Sequence, residues 1–80
     1  MVIDWVSVES SVFEAVSYRD GERQLYLKFH GGRAWRYFDF PAHQFDEFLG
    51  SDSLGRYFAK HIRGKLREEE LHEALLRHAS

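Results

Sequence analysis

Basic side chains at helical spacing are the clearest chemical feature of this 80-residue sequence. Arg56, Lys60 and Arg63 follow one another at intervals of four and three residues, which places them along one face of a helix. Between Leu54 and Arg67 the sequence holds five basic residues and no acid, so this segment carries +5 and the rest of the chain −7, within a net charge of −2. A row of cations can lie along a phosphate backbone, which makes these three residues candidates for nucleic-acid binding.

The start of the same helix is a candidate anion site. Ser51 and Ser53 precede it and supply capping oxygens, while the unpaired N–H groups and the dipole of a helix start favour an anion. Ser53 and Gly55 are therefore candidate anion-binding residues. In the alternative interpretation, Ser53 only caps the helix and Gly55 only allows the helix to approach the sheet closely.

The element that must position these residues is a hairpin between Leu25 and Pro41, reading L-Y-L-K-F-H-G-G-R-A-W-R-Y-F-D-F-P. Two alternating runs flank Gly31-Gly32, a pattern typical of a β-hairpin. Pro41 suits the first position of a helix, where its missing N–H costs nothing.

Two registers of this hairpin are possible. A two-residue loop would set Leu27 opposite Arg36, whereas a three-residue loop, with Gly32 left-handed after a type I turn, sets Leu27 opposite Trp35. We favour the three-residue loop because it collects five large apolar residues on one face. These five residues are Leu25, Leu27, Phe29, Trp35 and Tyr37.

The opposite face of the hairpin is then a second candidate nucleic-acid surface. It combines two cations with two rings, a mixture suited to phosphate contacts and base stacking. Its residues are Tyr26, Lys28, Arg36 and Phe38. The alternatives are an ordinary solvated sheet face and, in the other register, a stacking platform made of Trp35 and Tyr37.

The whole chain predicts an α+β fold: a three-stranded antiparallel β-meander, two short helices packed on one face, and a C-terminal helical extension. The first strand, Val12 to Tyr18, does not alternate cleanly, so a bulge or a two-sided strand is expected. Apolar stripes predict helices after Pro41 and from Leu54. Gly64 interrupts the second helix, and helical spacing resumes from Lys65 to His78. The apolar positions of that extension are Leu66, Leu71, Leu75 and Leu76.

Several functions are not expected. The sequence has no cysteine, and its five histidines include no H-x-x-x-H pair, so we expect no metal site and no cofactor. No serine is paired with a base, and the run Glu68-Glu69-Glu70 is interpreted as a helix surface, so no enzyme is expected. No apolar run approaches the roughly 20 residues that cross a bilayer, and no signal peptide is visible. We expect a cytoplasmic protein without a membrane partner.

The order of four motifs resembles the KTSC domain, named for the C-terminus of some lysyl-tRNA synthetases. The motifs are S-S-x-F-x-A-V-S-Y from Ser10, L-Y-L-K-F from Leu25, W-R-Y-F-D-F-P from Trp35 and S-L-G-R-Y-F-A-K-H-I-R from Ser53. Where the family has a tyrosine-x-tyrosine motif, this sequence has Trp35-Arg36-Tyr37.

The resemblance implies a KTSC-like domain over residues 1–63, with its core at about 6–63, and a separate extension over residues 64–80. It also implies a small binding module without catalytic residues, with RNA as the suggested ligand. The alternative is a protein-interaction or structural module that uses a sheet edge or the C-terminal helix. A monomer is favoured.

Overall fold

A computed structural model describes residues 3–71 of the chain. In these residues one antiparallel sheet runs in chain order, with two helices inserted before its last strand. The elements are β1 (Val6–Ser7), β2 (Phe13–Arg19), β3 (Gln24–Phe29), β4 (Ala34–Tyr37), α1 (Ala42–Leu49), α2 (Leu54–His61) and β5 (Glu68–Glu70). The α+β class is confirmed, but the described sheet has five strands where the sequence predicted three.

The register of the central hairpin is the predicted one. Leu27 lies opposite Trp35 and Leu25 opposite Tyr37, across a three-residue loop. The Gly32 N–H donates to the Phe29 carbonyl at 3.0 Å. Gly31, the third residue of this turn, has a φ of 103°, and a positive φ at that position is typical of a type II turn. The prediction of a type I turn is therefore wrong.

Strand β2 contains the expected bulge. Phe13 pairs with Phe29 and Ala15 with Lys28, so Glu14 is an extra residue on the β2 side. The bulge lets Phe13 and Val16 point to the same side of the sheet although they are three residues apart. Both side chains are fully buried there.

The main core lies between the two helices and one side of the sheet, here called the front face. Aromatic rings meet there at steep angles, as between Phe13 and Phe58, whose centroids are 5.4 Å apart with planes at 82°. Such edge-to-face contacts add to the area that the rings bury. The buried members of this core are Phe13, Val16, Leu25, Leu27, Tyr37, Phe40, Phe48, Phe58 and Ile62.

The other side of the sheet, the reverse face, carries a smaller apolar cluster. Tyr26 and Ala34 project from β3 and β4, while Ile3 and Leu71 cover them from the two ends of the described chain. Trp5 packs against the edge of this cluster. The reverse face is therefore partly closed by residues that are far apart in the sequence.

The predicted C-terminal helix is wrong over the residues that the structure describes. Glu68–Glu70 forms β5, which pairs antiparallel with β4, and Leu71 is buried on the reverse face. Tertiary pairing overrides the helical preference of glutamate here, because Glu69 and Glu70 meet Arg36 and Arg33 across the strand pair. Leu66 packs on the front core. The predicted helix positions Leu75 and Leu76 lie outside the described residues.

Candidate functional site

Helix α2 turns one side to the core and the other to solvent. The Ser53 hydroxyl accepts a hydrogen bond from the Arg56 backbone N–H at 3.2 Å and so caps the start of the helix. Phe58, and Ile62 at the end of the helix, are buried in the front core. This amphipathic pattern leaves the basic side chains on the open side.

The two candidate anion-binding residues both have structural roles. A Cβ atom on Gly55 would lie 2.6 Å from a methyl group of Val12, so glycine permits this close approach of α2 to the chain before β2. Ser53 is already engaged as the helix cap. These contacts are the ones that the packing alternative predicted, and anion binding by Ser53 and Gly55 stays a prediction.

The basic residues form what we call the α2 ridge, consisting of Arg56, Lys60 and Arg63. Arg56 and Lys60 lie within the helix, and Arg63 lies two residues beyond its last residue, His61. All three are exposed. Within residues 3–71, the ion pairs of the protein involve other cations, and no carboxylate neutralises the ridge at contact distance.

A shallow depression of about 200 Å³ lies against this ridge and brings cations next to a ring. Tyr57 packs on His61 with ring centroids 4.4 Å apart, and its hydroxyl donates to Glu47 at 3.0 Å. Burial of the phenol, together with this hydrogen bond, raises the pKa of Tyr57. The residues that line the depression are Ser51, Asp52, Ser53, Arg56, Tyr57, Lys60 and His61. Asp52 is the one acid among them, so cations predominate in the lining.

Arg63 also acts on the core. Burial raises the pKa of the Tyr37 phenol, Glu68 raises it further, and the positive charge of Arg63 partly opposes both. Arg63 is therefore close enough to the end of β4 to influence a buried group. The ridge thus extends from the start of α2 to the junction between the helix and the sheet.

The reverse face differs from the predicted surface. Tyr26 is fully buried, and its hydroxyl donates to the Gln24 side-chain oxygen at 2.9 Å. The prediction that Tyr26 is available to stack on a base is wrong, because Ile3 and Leu71 cover it. The sequence contains both covering residues, but no local pattern connects Ile3 or Leu71 to the hairpin, so the burial of Tyr26 was not predicted.

The other three reverse-face candidates are half-buried and already have partners. Arg36 forms an ion pair and hydrogen bond with Glu69, and its guanidinium lies 5.3 Å from the centre of the Phe38 ring. Arg67 covers the same ring at 4.1 Å. The Lys28 ammonium lies 4.8 Å above the Trp5 ring. These cation–π contacts and the ion pair hold the charges against the protein; RNA contact by these residues stays a prediction.

Sequence reasoning missed a second ion pair on β5. Arg33 binds Glu70 through two hydrogen bonds of 2.7 and 2.9 Å, a bidentate arrangement. The sequence predicts these acids on the surface of a helix, which is wrong because they lie on β5. The sequence pattern that could have predicted these ion pairs is two arginines three residues apart and a run of three glutamates. The two groups are more than 30 residues apart, so no local pattern connects them.

Two structural findings bear on other functions. In residues 3–71, no group of three or more histidine, aspartate or glutamate side chains is placed to hold a metal ion. No helix in the described part of the chain has the length and apolar character needed to cross a bilayer.

The fold and this site define a small α+β domain with a five-stranded antiparallel meander, two helices on one face and an exposed basic helix. Residues 9–65 match the sequence profile of the KTSC domain. This match covers well over half of the sequence, and the chain belongs to the KTSC domain family.

Relatives of two kinds are similar to this chain. A protein of Tsukamurella paurometabola is 37% identical over 60 residues, which are 75% of this chain and 90% of that protein. A lysine–tRNA ligase of Nostoc punctiforme is 32% identical over 63 residues, 79% of this chain but only 11% of the ligase. The crystal structure of a KTSC domain protein from Yersinia pestis matches with a TM-score of 0.82 and 25% identity, covering 89% of this chain and 100% of that one.

Proposed function

We propose that the protein is a non-catalytic binding module that contacts RNA through the α2 ridge. The observation that carries the proposal is that Arg56, Lys60 and Arg63 are exposed and lack a carboxylate partner within the described residues. In contrast, Arg33, just before β4, and Arg36, within β4, are both paired with glutamates. Unneutralised cations in a row are what a phosphate backbone needs.

The chemistry of the surroundings supports a single-stranded or looped RNA. Phosphate contacts by the ridge would be independent of sequence, and the adjacent rings of Tyr57 and His61 offer an apolar surface to an unstacked base. The similarity to part of a lysine–tRNA ligase points to the same ligand class, by analogy alone.

An NMR titration tests this proposal. The labelled protein is titrated with tRNA and with an unrelated single-stranded RNA at two salt concentrations. We expect chemical-shift changes at the ridge and a salt dependence whose slope is about 2 if three phosphates of a single strand are contacted, at about 0.7 per phosphate. No binding tighter than about 100 μM at low salt would refute RNA binding, because even non-specific binders usually reach that affinity.

A protein-interaction module is the second candidate function, and the exposed β1 edge of the sheet favours it. Val6 on this edge is 60% exposed, and an exposed apolar side chain on an edge strand favours pairing with another chain. If RNA binding fails, this function takes its place. The cytoplasmic location and the monomeric state stay predictions.

A further inference from the structure

The two edges of the sheet are protected differently. The β5 edge consists of three glutamates, and charged side chains on an edge strand discourage pairing with another chain. The β1 edge has only Val6 and Ser7, both exposed and neither charged. The β1 edge is therefore the more receptive of the two to an added strand.

Within residues 3–71, no strand pairs with β1 on the side away from β2, so backbone groups there can receive such an addition. The Val8 N–H donates to the Glu14 carbonyl, so Val8 and Val6 are the residues that exchange hydrogen bonds with β2. Because the ladder alternates, Ser7 turns its N–H and C=O away from β2 and toward the open edge. An extended segment lying along β1 would find both a donor and an acceptor there.

An apolar groove lies beside this edge, on the front face between β1 and α1. It has a volume of about 390 Å³ and contains Val6 and Val8 from the strand side, and Phe45 and Leu49 from the helix. Leu49 is 45% exposed, and it and Val6 are the two large apolar side chains that remain exposed within residues 3–71. A strand added to β1 could place alternate apolar side chains in this groove.

Both ends of the groove are acidic. At one end, Asp4 also lines a neighbouring depression together with Asp20 and Glu22. Arg19 lines the same depression and forms an ion pair with Glu22 at 3.5 Å. At the other end Val8 and Leu49 border a larger depression, whose charged residues within the described part of the chain are Glu9 and Asp52. The charge around the groove therefore complements a positively charged partner.

The same acids disfavour a second copy of this chain as the occupant. Because Ser7 turns its backbone groups to the open edge, antiparallel pairing of two β1 strands would set Ser7 of one copy opposite Ser7 of the other. This pairing would bring the end of one groove that holds Asp4 beside the end of the other groove that holds Glu9. Like charges brought together at an interface disfavour association.

We propose that the β1 edge and the apolar groove bind an extended segment of another protein that has alternating apolar residues flanked by lysine or arginine. The segment pairs with Ser7 through its backbone, inserts apolar side chains beside Val6 and Leu49, and places its cations near Asp4 and Glu9. This surface is separate from the α2 ridge, so the proposal does not depend on RNA binding.

Three synthetic peptides test the proposal on the full chain by NMR. The first is Arg-Lys-Val-Thr-Val-Lys-Arg, the second has glutamates in place of its four basic residues, and the third has proline in place of threonine. We expect the first to shift the amides of Ser7, Val8 and Leu49, with a Kd on the order of 1 mM or below. The acidic peptide should not bind because of charge, and the proline peptide should bind more weakly because it lacks one backbone N–H.

Two lysine substitutions of equal charge separate the groove from general electrostatics. Val6→Lys should weaken binding of the basic peptide by a factor of about ten or more, which corresponds to about 1.4 kcal/mol. The substitution removes an apolar contact and adds a charge that repels the peptide. Ala59→Lys, at an exposed position of α2, should leave the affinity nearly unchanged.

Four results would overturn the proposal. They are no binding of the basic peptide, equal binding of the acidic one, equal effects of the two lysine substitutions, and groove amides that shift with protein concentration alone. The last result would assign the groove to a second copy.

Discussion

The reverse face of the sheet and the α2 ridge have similar side chains but opposite surroundings. Both combine cations with aromatic rings, yet Arg36 is held by Glu69 and Tyr26 is buried, whereas Arg56 and Lys60 remain open. The difference comes from the ends of the described chain, which cover the sheet and not the helix. The composition of a surface indicates a possible ligand, but the topology decides whether a ligand can reach it.

The largest effect on stability is expected from removing the Tyr26 ring, which tests whether the reverse face is closed. If the reverse face is closed, Tyr26→Ala leaves a cavity and should lower the free energy of unfolding by about 3–5 kcal/mol. Chemical denaturation measures the loss. Phe38→Ala, at a half-buried ring on the same face, is the matched control and should cost less. A loss below about 0.5 kcal/mol for Tyr26→Ala would mean that the face is open.

The next test separates the packing side of α2 from its open side. Gly55→Ala should destabilise the protein by about 1–3 kcal/mol, because the new methyl group overlaps Val12. Gly21→Ala, where no atom lies within 4 Å of the added Cβ, is the control. The double variant Val12→Ala/Gly55→Ala should lose less stability in thermal melts than the sum of the losses of the two single variants, because the smaller side chain makes room for the new methyl group. Simple additivity would show that the two residues do not meet.

The two ion pairs on β5 should differ in strength. The Arg36 side chain is 21% exposed, so Glu69→Ala leaves a largely buried charge without its partner and should cost about 1–2 kcal/mol. The Arg33 side chain is 71% exposed, and Glu70→Ala should cost less than about 1 kcal/mol. Urea denaturation of both variants compares them. Equal losses would contradict the account of a closed reverse face.

Local patterns were sufficient for much of the fold. Alternation around Gly31-Gly32 predicted the hairpin register, and the serine cap with its apolar stripe predicted the start of α2 at Leu54. Both signals lie within a few residues of the elements that they determine. The α2 ridge, as an exposed basic surface, could be predicted for the same reason.

The closing elements could not be predicted in this way. Glutamate has a low preference for strands, and the contact of Glu69 with Arg36 spans 33 residues, so nothing local identifies β5. Ile3 and Leu71 lie at opposite ends of the described chain, and the sheet brings both into the cluster around Tyr26. The error about the reverse face therefore follows from long-range contacts and not from a misjudged local pattern.

The most direct test of the central claim compares RNA affinities after charge reversal on the two surfaces. Fluorescence anisotropy with a labelled single-stranded RNA measures wild type, the triple variant Arg56→Glu/Lys60→Glu/Arg63→Glu, and Lys28→Glu. The exposed positions of the ridge predict a retained fold in circular dichroism, since surface changes usually cost less than about 0.5 kcal/mol each.

We predict that the triple variant does not bind RNA, while Lys28→Glu keeps nearly the wild-type affinity. Each single reversal on the ridge should lower the salt slope by about 0.7 for every phosphate that the variant can no longer bind. A triple variant that binds RNA with the wild-type affinity and salt slope would contradict the assignment of the ridge, as would an equally weakened affinity for Lys28→Glu.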